Sequence, residues 1–250
     1  EIFKDFFFIQ RGYLNANHFV YLGEGCTLID TGYLNHFGET KSYFDFLGLD
    51  IAKVSLIINS HCHCDHAGGN QIIQEESGCG VALHHIGKYF IDNRDDWATW
   101  WKYYHQNARF FKATQGLVDG EILKIGPYKF EVIYTPGHSA DCLALYNQEH
   151  KVLLSSDALW ERDVPALTER IEGTRTVFSF LESLQRLQGL EVDMVYPGHG
   201  SPFTDFESAL EKSKARAQNY LKDKKKLGND LLKKIILYTS ILSKNGKEDK

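Results

Sequence analysis

The feature that most constrains this chain is a run of ligand-type side chains at the end of a strand pattern. Residues 54–59, Val-Ser-Leu-Ile-Ile-Asn, are branched and apolar, as a buried strand requires. They run directly into Ser60-His61-Cys62-His63-Cys64-Asp65-His66-Ala67-Gly68-Gly69. Imidazole and carboxylate suit zinc and similar divalent ions, and His61, His63, Asp65 and His66 lie within six residues. Alternate residues of an extended segment point the same way, so His61 and His63 can face one ion together. Asp65 and His66 follow as the chain turns into a helix, aimed at a second ion, and Gly68-Gly69 permits close backbone approach there. Alternation turns Cys62 away from the histidines, and Cys64 is read as packing rather than ligation.

Three further motifs repeat the arrangement. Thr135-Pro136-Gly137-His138-Ser139 follows the strand pattern 128–134, Ser155-Ser156-Asp157 ends the pattern 151–155, and Tyr196-Pro197-Gly198-His199-Gly200 ends the pattern 192–197. Each places a ligand-type side chain just past the carboxyl end of a strand, where α/β sites gather. The seven residues are too many for one ion of ordinary coordination number. Two divalent ions are therefore expected, predominantly zinc, with iron or manganese as alternatives. His18, His36, His84, His85, His105 and His150 have no such context.

Around these motifs, strand patterns alternate with helical ones. Strands are expected at 3–9, 17–22, 26–30, 54–59, 80–84, 121–125, 128–134, 142–147, 151–155 and 192–197. Helices are expected at 39–47, 68–76, 86–92, 95–113, 174–188, 205–222 and 229–243. Val177, Phe180, Leu181, Leu184 and Leu187 share one face of the 174–188 helix, with Thr174 to cap it and Gly189 to end it. The order suggests two similar α/β halves meeting near 115–120, within a body of residues 1–210 on which a lysine-rich helical extension, 211–250, packs. Segment 88–113 concentrates Tyr89, Phe90, Trp97, Trp100, Trp101, Tyr103, Tyr104, Phe110 and Phe111. It reads as a helical hairpin that packs on the body, forms an apolar lid over a substrate, or does both. Trp97, Trp100, Trp101 and, outside it, Trp160 are the candidate substrate contacts.

Taken in order, the motifs resemble the metallo-β-lactamase superfamily over roughly residues 15–205. The resemblance implies a four-layer αββα sandwich with the metals at one edge. It implies His61, His63 and His138 on a first ion, Asp65, His66 and His199 on a second, and Asp157 bridging. Asp30, in Leu28-Ile29-Asp30-Thr31-Gly32, matches an aspartate that braces the metal loops. The implied chemistry is hydrolysis by a water shared between two ions ~3.5–4 Å apart and ionised near neutral pH. Asp65 would orient that nucleophile and carry its proton; no leaving-group acid is evident.

Departures from the better-known branches narrow the substrate. Most true β-lactamases of the superfamily lack Asp157. Gly200-Ser201-Pro202 follows His199 where glyoxalase II enzymes have Glu-Tyr-Thr, and their glutathione-binding tail has no clear equivalent. Trp160 stands where acyl-homoserine lactonases have tyrosine. The long arm of tRNA-processing nucleases and the flavodoxin domain of flavodiiron proteins are missing. An ester, thioester or lactone of a small organic molecule is the expected substrate. A phosphodiesterase or nuclease using the same ions, a persulfide dioxygenase using one iron, and a metal-binding regulator are the alternatives.

Charge separates body from tail. Residues 211–250 carry 12 Lys/Arg against 5 Asp/Glu, a net +7, so with a total of −5 the first 210 residues carry −12. An acidic body argues against a nucleic-acid footprint; the lysines read as a solvated face or, alternatively, a grip for phosphates. No apolar run approaches the ~18 residues that span a bilayer, so no membrane partner is expected. Residues 1–5 do not read as a signal peptide, though an initiating Met is lacking and a trimmed leader stays open. Five cysteines without framework spacing read as free thiols in a reducing compartment, the cytoplasm by default.

Overall fold

Strands that are apolar on both faces must be covered on both faces, and this chain has two sheets of them. The first, in spatial order, is β1 (Phe6–Ile9), β2 (His18–Tyr21), β3 (Thr27–Ile29), β4 (Leu56–Ile58), β5 (Gly80–His84) and β6 (Gln115–Leu117). Its β1–β3 run antiparallel and its β3–β6 parallel. The second holds β7 (Ile122–Ile125), β8 (Tyr128–Tyr134), β9 (Leu143–Asn147), β10 (Val152–Ser156) and β11 (Met194–Pro197), in the order β11-β10-β9-β8-β7. Only its β10–β11 pair is parallel. This computed structural model describes residues 1–244; residues 245–250 of the lysine-rich tail lie outside the described residues.

Period-two alternation sorts the side chains into three apolar layers. Ile58, Ala82, Val132, Leu143, Leu145 and Leu154 meet between the sheets. Their neighbours Ile57, Val81 and Leu83 face outward under α1 (Phe37–Phe46), α2 (Cys64–Ala67), α3 (Asn70–Ser77) and α4 (His85–Asp92). Ile133, Ala144 and Leu153 face the other way, under α6 (Thr176–Leu187) and α7 (Phe206–Lys222). The result is the αββα sandwich, and a one-residue slip in any central strand would exchange two of its layers. α5 (Glu169–Glu172) and α8 (Lys224–Lys244) complete the chain. Among the described residues no helix is long and apolar enough to cross a membrane.

Three expectations need correction, and one strand has no counterpart among them. Segment 95–113 is not helical: Arg94, Trp100 and His105 have φ of +53°, +67° and +50°, which a right-handed helix excludes. Asp95 Oδ1 accepts from the N–H of Trp97 and Ala98 at 3.2 and 2.9 Å, stabilising a turn instead. β6 has no sequence signature in Gln-Gly-Leu and exists because it pairs with β5. Helix α6 begins at Thr176 after an N-cap at Arg175; Thr174 is exposed and makes no cap. Helix α8 starts five residues earlier than expected, at Lys224.

Candidate metal centre and its cavity

All seven ligand-type residues lie past carboxyl ends of strands. His61 and His63 follow β4, with Asp65 and His66 on α2; His138 follows β8, Asp157 follows β10 and His199 follows β11. The backbone is bent to aim them. The β10–β11 register shifts between Leu154 and Ser156, and Ser156 takes φ +47°, a bulge that turns Asp157 into the site. Gly198 is required opposite it, because a Cβ there would lie 2.2 Å from Asp157 Oδ1. Gly68, which caps the end of α2, allows a close backbone approach there, since a Cβ would lie 2.4 Å from Leu34 N.

The donor atoms converge. His61 Nε2 lies 3.1 Å from His63 Nδ1, and His138 Nε2 lies 3.3 Å from Asp157 Oδ2. His199 Nε2 is 3.2 Å from Asp65 Oδ2 and 3.8 Å from Asp157 Oδ2, while His66 Nε2 is 3.6 Å from Asp157 Oδ2. Three groups result, each with its donor atoms within 4.8 Å of one another: His61-His63-His138, His61-His66-Asp157 and Asp65-His66-His199. His66 Nε2 is buried without a hydrogen-bond partner, although two carboxylates face it. Five imidazoles and two carboxylates around such an atom fit divalent cations.

The ring orientations are fixed from behind. His66 Nδ1 donates to Asp30 Oδ2 at 2.8 Å and His138 Nδ1 donates to Ala166 O at 2.7 Å, which leaves each Nε2 turned inward. Asp30, at φ +57°, also accepts from Ser60 N and Oγ at 2.9 and 2.7 Å. On the other side of the loop, fully buried Asp141 accepts from Cys62 N at 2.9 Å and from Ser139 Oγ. It thus ties the His61–His63 segment to the His138 segment. Sequence reasoning missed Asp141; its spacing after His138 was visible, but its return to Cys62 was not.

Protonation divides the cluster. Burial, then neighbouring imidazoles, push the His61 and His63 pKa values well down, and burial lowers that of His138. All three are thereby held in the neutral form a ligand needs. Burial would also lower His66 and His199, but Asp30, Asp65 and Asp157 beside His66, and Asp157 and Asp65 beside His199, raise both. Burial opposes ionisation of Asp65 and Asp157, yet His66 and His199 hold Asp65 at about 2 and Asp157 well below the usual carboxylate range.

A cavity of about 580 Å³ opens from His63, Asp65, His138, Asp157 and His199. Trp100 and Tyr104 of the turn segment, Trp160, and Leu231, Ile235 and Tyr238 of α8 line it. The Trp100 ring lies 4.2 Å from that of His63, and its Nε1 donates to Glu172 Oε1 at 2.6 Å. Trp160 Nε1 donates to Asp157 Oδ1 at 3.3 Å. Trp97 and Trp101, expected beside these two, are not in the lining. Trp101 turns into the core with its Nε1 on Cys62 O at 3.0 Å, and Trp97 is 41% exposed against Tyr103. Tyr13 and the α8 residues are lining that sequence reasoning did not select. Leu231, Ile235 and Tyr238 do fall at i, i+4 and i+7, an apolar stripe whose counterpart was not legible. Arg216, Asp163, Asp230 and Lys234 form an ion network that ties α8 to α7 and to the loop after Trp160.

Comparison with known proteins agrees with this picture. A family model described as the metallo-beta-lactamase superfamily matches residues 12–199. Atrochrysone carboxyl ACP thioesterase of Aspergillus fumigatus is 24% identical over 166 residues, covering 66% of this chain and 44% of its own length. Acyl-coenzyme A thioesterase MBLAC2 of Gallus gallus is 26% identical over 185 residues, covering 66% and 62%. The chain thus spans about half to two thirds of the length of these relatives. Among solved structures, a metallo-beta-lactamase family protein from Thermus thermophilus superposes with a TM-score of 0.77 at 25% identity, covering 98% of this chain and 95% of its own.

Proposed function

Given that this chain belongs to the metallo-beta-lactamase superfamily, we propose that it is a metal-dependent hydrolase of ester-type bonds, with thioesters of an apolar acyl group as preferred substrates. The observation that carries this reading is the juxtaposition of the seven-residue cluster with an apolar, aromatic cavity. His61, His63 and His138 would hold one divalent ion, Asp65, His66 and His199 a second, and Asp157 would bridge them, with zinc the expected metal. Ions bound there supply a water of lowered pKa and a Lewis acid for the substrate carbonyl.

The protein's own groups do the rest. Asp65 is anionic, half-buried and in the cavity lining, placed to accept a proton at its carboxylate. Trp160 holds the other oxygen of Asp157, which fixes that carboxylate's angle. Trp100, Leu231 and Ile235 exclude water and seat an apolar group. The names of the two thioesterase relatives support a thioester over a lactone or oxygen ester. Lys234 is the one Lys or Arg in the described lining, and Asp163 and Asp230 already engage it, which disfavours a phosphodiester. Metal-free protein should take up about two zinc ions and then hydrolyse medium-chain thioesters at least ~100-fold faster than bis(4-nitrophenyl) phosphate. Faster phosphodiester cleavage, or one iron with oxygen uptake on glutathione persulfide, would replace the reading.

A further inference from the structure

Helix α8 is apolar on two sides, which a helix seated on a protein surface does not require. Leu227 packs into the core, and Leu231, Ile235 and Tyr238 line the cavity. On the outer side Leu232, Ile236 and Leu237 are 55%, 56% and 47% exposed. Leu231 and Ile235 of the lining are each followed directly by an exposed apolar residue, so apolar surface continues from the cavity onto the outer face of α8. Tyr103 of the turn segment is in the same lining and packs on Trp97, itself 41% exposed. The charges on the outer face have one sign. Lys225 lies two turns before Leu232, and Lys233 lies three and four residues before Ile236 and Leu237, so lysines share that face with the apolar side chains. Asp230, the one acid of α8, is held by Arg216 and Lys234.

We propose that the outer face of α8 docks on an anionic lipid bilayer, the helix lying among the headgroups with the opening of the cavity beside the lipid. Charge selects this occupant. Residues 211–250 carry +7 and the first 210 carry −12, so an anionic surface attracts the tail, repels the body and turns α8 toward itself. A second copy of the chain would set lysine against lysine across a twofold axis. Tryptophan and tyrosine, as at Trp97 and Tyr103, are the aromatic residues that favour the headgroup level. The sequence gave no membrane partner because no run is long enough to span a bilayer, but a helix that lies in the interface needs no such length. Docked this way, an apolar molecule dissolved in the lipid reaches the cavity without crossing water. The proposal concerns access and does not depend on which bond is cleaved.

The test is co-sedimentation of the full chain with lipid vesicles. Phosphatidylcholine vesicles that contain phosphatidylserine should bind it about tenfold more tightly than phosphatidylcholine alone, and raising the salt should erase most of that difference. Leu232→Gln with Ile236→Gln removes the apolar contact, and Lys225→Glu with Lys233→Glu reverses the charge. Each pair should weaken binding about tenfold. Circular dichroism and Tm should stay unchanged, since all four side chains are exposed and outside the cavity lining. No binding to the anionic vesicles, or binding that survives both pairs, overturns the proposal. A lipid-free dimer in light scattering that Leu232→Gln with Ile236→Gln converts to monomer also overturns it, because a second copy then covers the face.

Discussion

The floor of the cavity and its walls are built by opposite means. On the floor, every ligand-type side chain stands within a few residues of a strand end, and the rings are held from behind by Asp30, Asp141 and a backbone carbonyl. Apart from Trp160, which stands beside the floor and donates to Asp157, the walls come from a turn segment and a helix far from those strands. These are held by an indole–carboxylate bond from Trp100 to Glu172 and by an ion network that includes exposed groups. A braced floor fixes the reaction geometry; walls laid on from outside can change without disturbing it. Chemistry and specificity are thus separable in this molecule, and substitutions in the two regions should differ in kind.

The largest effect belongs to the floor. Asp65→Ala should lower kcat/KM by about 10²–10⁴-fold and reduce bound metal from two ions to one, with circular dichroism unchanged. Near wild-type turnover would show that the second group of ligands is not catalytic and would break the contrast.

Next come two neighbouring tryptophans. Trp101→Ala empties a core position and should destabilise the fold by about 3–5 kcal/mol in urea unfolding. Trp100→Ala should instead raise KM about tenfold and alter acyl preference while both metals stay bound. If the two variants behaved alike, floor and wall would not be distinct at this point.

A smaller effect is read in pH. Burial pushes the Glu172 carboxyl from 4.5 up to about 8, against the opposing hydrogen bond from Trp100. The folded state therefore favours its protonated form. That contribution to stability is present below about pH 4.5 and is lost as pH rises toward 8. Glu172→Gln keeps an acceptor for Trp100 and should flatten the fall of Tm between pH 5 and 8. An unchanged slope would remove Glu172 as the group that supports the wall.

The smallest expected effect is on the tail. Neutralising Lys222, Lys224, Lys225 and Lys226 should leave thioester hydrolysis within about twofold, since these side chains are exposed and outside the cavity. A strong, salt-sensitive loss on a phosphodiester would instead make the lysines a wall of their own.

The contrast also explains what could be read without coordinates. The floor was legible because its information is contiguous. A branched run at 54–59 leads into His61 through His66, and three later strand patterns each end on one ligand-type residue. Asp30 was legible only through the family resemblance, as an aspartate at a strand end. The walls were not, because their positions are decided by distant partners. The aromatic spacing of 95–113 suggested a helix, but burial of Trp100 and Trp101 and the turn at Asp95 set the path. Strand β6 has no pattern of its own, and the stripe on α8 gave no indication of what it would face. Asp141 shows the limit most sharply: a buried carboxylate engaged by donors 79 and 2 residues away has no local signature.

The position of α8 along the chain has a consequence in time. All seven ligand-type residues precede it, the last of them being His199, while α8 begins at Lys224. A ribosome adding ~5–20 residues per second therefore completes the ligand set a few seconds before it completes the cavity. The side of the opening lined by Leu231, Ile235 and Tyr238 is thus the last part of the site to be synthesised.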